Sequence, residues 1–130
     1  KAYGADAVLL IGEMLERDEI EEFLGIARII DLDVLLEVHS VKALAKVAGM
    51  DGFLLGINNR NLDTMTVDLS TATAMLGEIP DDFPVIIESG INEKKNMTAF
   101  EEKGVSGFLV GTSLVLSRDP IKKLRELREH

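Results

Sequence analysis

The sequence predicts an α/β fold in which five βα units place their strands parallel in one continuous array. Three segments align without gaps: Gly4-Ala5-Asp6-Ala7-Val8-Leu9-Leu10, Gly49-Met50-Asp51-Gly52-Phe53-Leu54-Leu55 and Gly104-Val105-Ser106-Gly107-Phe108-Leu109-Val110. Each reads glycine, apolar, Asp or Ser, small, then a short apolar strand. Two further apolar runs, Val34-Leu35-Leu36-Glu37-Val38 and Pro84-Val85-Ile86-Ile87-Glu88, fall between them. Runs this short and this apolar are expected to be buried on both faces, as in parallel sheets.

The glycine opening each repeat is expected to end a helix in the left-handed conformation, after which a small residue lets the next strand start close to its neighbours. Helical spacing fills the intervals. Ile20, Phe23, Leu24, Ala27 and Ile30 mark the first helix. Val41, Leu44, Ala45 and Ala48 mark the second, with Ser40 as its cap. Later helices are expected over Leu69 to Leu76, Glu93 to Glu102 and Ile121 to Leu127, the last opened by Asp119 as cap and Pro120 in its first turn. No Pro-, Gly- or Ser-rich linker interrupts the series, so residues 1–130 read as one unit. The opening KAYGADA reads as the tail of a helix, which leads us to expect further sequence upstream of Lys1.

Composition narrows the function. The 130 residues are 46% hydrophobic, enough for one sizeable core, and 14 basic against 23 acidic side chains give a net charge of -9. Such a balance argues against a nucleic-acid surface and requires any anionic ligand to be held by local groups. No apolar run approaches the roughly 20 residues of a bilayer span, and there is no secretory signal pattern, so a cytoplasmic protein without a membrane partner is expected. With no cysteine and two histidines, a metal site is not expected. The five methionines read as core fillers.

Chemistry gathers at the carboxyl ends of the strands, where parallel α/β proteins keep their sites. Glu37 and His39 lie in LEVH, Asn58 and Arg60 in GINNR, Glu88 and Ser89 in ESGI, and Gly111 and Thr112 in VGTSL. Glu37 and Glu88 interrupt buried strands, where an unpaired carboxylate is costly or has its pKa raised. Two readings stand: the glutamates belong to a site, or they pair structurally with neighbouring lysines or arginines. Gly90 and Gly111 open turns where backbone amides can approach an anion, although the same glycines also suit plain tight turns. His39 reads as structural, with no triad partner nearby. Ser89 lacks the GxSxG elbow of a hydrolase nucleophile. The IGEML that follows the first strand carries neither dinucleotide nor P-loop fingerprint, so an open doubly wound sheet and a stretch of a (β/α)8 barrel both remain.

Taken in order, LLEVH, GINNRNL followed by TVDL, IIESGI, and GVSGFLVGTSL followed by DP resemble the C-terminal part of the indole-3-glycerol phosphate synthase family, over essentially the whole chain. The resemblance implies a partial (β/α)8 TIM barrel, strands four to eight, within a phosphate-binding domain. It implies a lyase of tryptophan biosynthesis that closes an indole ring from an anilino-deoxyribulose phosphate with loss of carbon dioxide and water, and no cofactor. By the same motifs, Glu37, Asn58 and Glu88 are expected in catalysis, Arg60 and Ser89 at the substrate, and Gly90, Gly111 and Thr112 at its phosphate. Glu37 resembles the general acid/base on strand five. Asn61 stands where many members carry Asp, and Ser40 where Asn or Asp is common. The family's catalytic lysines lie on its first and third strands, which no segment here matches. An N-terminal barrel part, or self-association, is therefore expected to cover the open sheet edges. Two alternatives are another sugar-phosphate barrel enzyme such as an isomerase, and a non-catalytic or engineered half-barrel that binds phosphate.

Overall fold

The computed structural model describes residues 1–62 and 64–128. Along the chain run β1 (Ala7–Ile11), α1 (Arg17–Ile29), β2 (Asp33–Val38), α2 (Val41–Val47), β3 (Leu54–Asn58), α3 (Ser70–Leu76), β4 (Val85–Glu88), α4 (Lys94–Glu101), β5 (Gly107–Leu109), α5 (Thr112–Val115) and α6 (Pro120–Arg128). Each strand pairs in parallel with the next, in the order β1-β2-β3-β4-β5. That order decides between the two architectures. A doubly wound sheet reverses its order at a switch point, whereas a sequential order with right-handed crossovers keeps the helices on one face. This is the winding of a barrel wall.

Local chemistry sets the boundaries. Gly4, Gly49 and Gly104, the glycines that open the three repeats, all have φ between 75° and 83°. Ser40 Oγ accepts from Ala43 N at 3.1 Å to start α2, and Asp119 Oδ1 accepts from Lys122 N at 2.9 Å to start α6. Glu93 lies outside α4, where it caps the helix by exchanging bonds with Asn96. The one-turn α5 was not expected, because a helix of four residues has no room for an apolar period.

The expectation of strands buried on both faces is corrected. Under the helices, Val34, Leu36, Val38, Leu55, Ile57, Val85 and Ile87 are at most 5% exposed and form the core. On the opposite face Leu9 and Leu109 are each 48% exposed, and Leu35, Leu54 and Ile86 are half-buried. An apolar run cannot say which of its faces is covered. Only Met75 among the methionines is fully buried, while Met14 and Met65 are exposed, so the core-filler reading fails for those two. Phe23 and Ile30 of the first helical stripe are also exposed.

Candidate active site

Register places the polar residues in rows across the open face. Ile11, Glu37, Gly56, Ile86 and Gly107 are successive Cα partners from β1 to β5, and two residues further along, Asn58, Glu88 and Leu109 form the next row on the same face. Period-two alternation then sends the side chains of Glu37, Asn58 and Glu88 to the same side of the sheet. All three are buried, at 6%, 8% and 5% exposure.

They meet there. Asn58 Nδ2 donates to Glu37 Oε1 at 2.8 Å, and Asn58 Oδ1 accepts from Arg60 N at 2.9 Å, which fixes the amide's orientation. Glu88 Oε1 is buried without a hydrogen-bond donor. The Glu88 carboxyl is pushed up to about 7, first by burial, then by the negative charge of Glu37, then by a hydrogen bond with Glu37. No salt bridge among the described residues involves Glu37 or Glu88. Among the described residues, neither glutamate pairs structurally with a lysine or arginine.

Beside this cluster a cavity of about 280 Å³ is lined by Arg60, Ser89, Gly90, Gly111 and Thr112, among others. All five residues expected at the substrate and its phosphate thus share one opening. Ser113 Oγ donates to the Ile91 carbonyl at 3.0 Å, tying α5 to the turn after β4. A Cβ on Gly90, whose φ is 81°, would lie 2.8 Å from both Val67 and Leu69, so a side chain is excluded there. At Gly111 a Cβ would meet nothing within 4 Å, so the space beside it is open. Arg60 pairs with Val67 in an antiparallel bridge, and its Nη1 donates to the Met65 carbonyl at 3.1 Å.

Three participants escaped the sequence reading. Asn59, the second asparagine of GINNR, is 1% exposed and braces the site. Its Nδ2 donates to the Glu88 and Ser89 carbonyls, each at 3.2 Å, and its Oδ1 accepts from Ala72 N at 3.1 Å. Ser89 needs that brace, since its φ of 61° is a conformation that costs a non-glycine residue about 1–3 kcal/mol. Asn61 instead caps a turn, its Oδ1 accepting from Thr64 N at 2.9 Å. Glu13 is the second: its Oε1 accepts from His39 N at 2.9 Å and Ser40 Oγ at 3.1 Å, and lies 3.6 Å from His39 Nδ1. His39 therefore has a carboxylate partner, from a loop more than twenty residues away. Gly56 is the third, and a glycine inside a buried strand was the signal that could have found it.

A larger cavity of about 540 Å³ opens at the amino ends of β3 and β4, near the rings of Phe53 and Phe83, whose centroids are 5.3 Å apart. Its lining is mostly apolar, and the buried polar cluster lies at the other end of the strands.

The model of the indole-3-glycerol phosphate synthase family matches residues 1–127. A synthase of that name from Albidiferax ferrireducens is 40% identical over 127 residues, covering 98% of this chain and 48% of the relative. Another from Desulforamulus reducens is 38% identical over 125 residues, covering 95% of this chain and 47% of the relative. The chain thus spans about half the length of the curated relatives it matches. Among solved structures, a thiamine phosphate pyrophosphorylase from Pyrococcus furiosus superposes with a TM-score of 0.69 at 23% identity, over 98% of this chain and 59% of that one. At that identity the likeness shows the fold alone. No described helix is long and apolar enough to cross a membrane. By its family model and its relatives alike, this chain belongs to the indole-3-glycerol phosphate synthase family.

Proposed function

We propose that this chain supplies strands four to eight of a cytoplasmic indole-3-glycerol phosphate synthase, the C-terminal part of a phosphate-binding barrel. Its substrate is an anilino-deoxyribulose phosphate, which is closed to an indole with loss of carbon dioxide and water. One observation carries the reading: Glu37, Asn58 and Glu88 converge beside the cavity that Gly90, Gly111 and Thr112 line. Ring closure and dehydration each need a proton delivered or removed at a fixed place. Glu88, raised to about 7, can do either near neutral pH. Glu37 is the acid/base that faces the reacting carbon, held by Asn58, which also orients the substrate hydroxyls. Ser89 and Arg60 form the wall at the substrate, and the amides near Gly90, Gly111 and Thr112 take its phosphate. The principal acid comes from lysines on strands outside this chain, and packing against those strands covers its open face and edges.

The test joins this chain to the N-terminal half of the Albidiferax ferrireducens relative and follows indole fluorescence on adding the anilino-deoxyribulose phosphate. The joined protein is expected to turn over, and Glu37→Gln to lower kcat by about 10²–10⁴-fold. Full activity in Glu37→Gln would remove Glu37 from the chemistry. Turnover by the present chain alone would move the principal acid into it.

A further inference from the structure

The row that carries Glu37 also carries Gly56, directly beside it on β3. Glycine inside a buried strand loses packing and conformational entropy, so its presence needs a reason. The reason is visible above its Cα. A Cβ built on Gly56 would overlap Glu88 Oε1 outright and would lie 3.2 Å from Glu88 Cδ and from Leu35 Cδ1. Glu88 pairs with Asn58, two residues further along β3, so its side chain leans back over Gly56 toward Glu37.

We propose that Gly56 is a positioning residue: the space over its Cα is the lane through which Glu88 reaches Glu37, and the two carboxyls hold one proton between them. Two carboxylates side by side and away from water repel; with one proton present, Glu88 donates its O–H to Glu37. Among the described residues, nothing else nearby neutralises them. Ile11 on β1 and Leu109 on β5 flank the pair in register, β3 contributes the neutral Asn58 amide, and no described salt bridge brings a cation to it. The nearest ionisable groups along the chain are engaged elsewhere: Arg60 donates to Met65 O, and His39 faces Glu13. The lane deepens the reading of this site and rests on that reading only for its consequence in catalysis: a strand residue with no side chain sets how the proton is stored.

The experiment needs no substrate, so its failure is distinct from a failure of the ring-closure assignment. Carbon-13 side-chain titration of this chain is expected to show Glu88 releasing its proton near pH 7. In Glu37→Gln, the Glu88 midpoint is expected to fall by about one pH unit or more as the neighbouring charge is lost. An unmoved midpoint would overturn the shared proton. Gly56→Ala tests the lane. Where it folds, Glu88 is expected to titrate in the ordinary carboxylate range, and an unchanged midpoint would overturn the positioning role. Glu88→Ala removes the group in the lane, so Gly56→Ala combined with it is expected to fold and to melt close to Glu88→Ala alone. If the methyl is just as disruptive in that background, Glu88 is not what Gly56 makes room for.

Discussion

Asn59 donates its side-chain amide to the Ser89 carbonyl at 3.2 Å, across from the end of one strand to the first residue after the next. The same nitrogen reaches the Glu88 carbonyl, and the amide oxygen receives Ala72 N, so one buried side chain joins β3, the turn after β4 and the start of α3. Replacing it by alanine leaves Ser89 O and Ala72 N unpaired in a closed site. Asn59→Ala is expected to cost about 2–3 kcal/mol in urea unfolding with the denaturant slope unchanged. Asn59→Asp keeps the acceptor but loses the donor, and is expected to be at least as damaging at pH 7. Near-normal stability in that variant would show that the donor side does not hold the turn.

Burial of Glu88 makes stability depend on pH with a definite sign. Its carboxyl titrates at about 7 in the folded chain against an ordinary value of 4.5, so between these limits the folded state holds more protons than the unfolded. Stability therefore falls as pH rises from about 4.5 to 7, by up to about 3 kcal/mol from this group, then levels off. Glu88→Gln is expected to flatten that slope and to melt higher than the parent at pH 8. Parallel melting curves for the two chains across this range would contradict the assignment.

Gly90 and Gly111 line the same cavity for different reasons, and alanine separates them. At Gly90 the φ of 81° and the contacts to Val67 and Leu69 strain a methyl, so Gly90→Ala is expected to cost about 1–3 kcal/mol. At Gly111 the backbone is ordinary and the space empty, so Gly111→Ala is expected to melt like the parent. On the proposed reading, its methyl occupies room the phosphate would need. Inorganic phosphate should protect the Gly90 and Gly111 amides from hydrogen exchange in the parent but not in Gly111→Ala. Equal protection in both would take the phosphate elsewhere.

Among the described residues the two edge strands, β1 and β5, have no outer partner, and the face carrying Leu9 and Leu109 is half open. Unpaired edges and an uncovered apolar face favour association. Sedimentation of this chain is expected to show a concentration-dependent rise in mass, and a single monomeric species at high concentration would count against it.

The number and direction of the strands were legible because glycine-led junctions and apolar runs are local signals. So was the end of the sheet where chemistry collects, since Glu37, Asn58 and Glu88 each break an apolar pattern. Which strand face is covered was not legible, because Val34 and Leu35 look alike in a sequence while only one meets a helix. The roles of Asn59 and Glu13 were hidden for a different reason. Each acts across a gap of more than twenty residues, through register and turn geometry that no short window contains. The resemblance named the residues around the cavity; only the structure showed Gly56 making room for Glu88.

The sequential strand order also shapes how the molecule forms. Each strand docks beside the one that left the ribosome just before it, one helix earlier, so no strand must wait for a distant partner and contact order stays low for a parallel sheet. Assembly can proceed as zippering from one unit to the next. Glu37, Gly56, Asn58 and Glu88 lie on three consecutive strands, so the proton pair comes into being only with the third of them. The carboxyls then come together late in that sequence, after the strands carrying Glu37 and Gly56 have already set the lane.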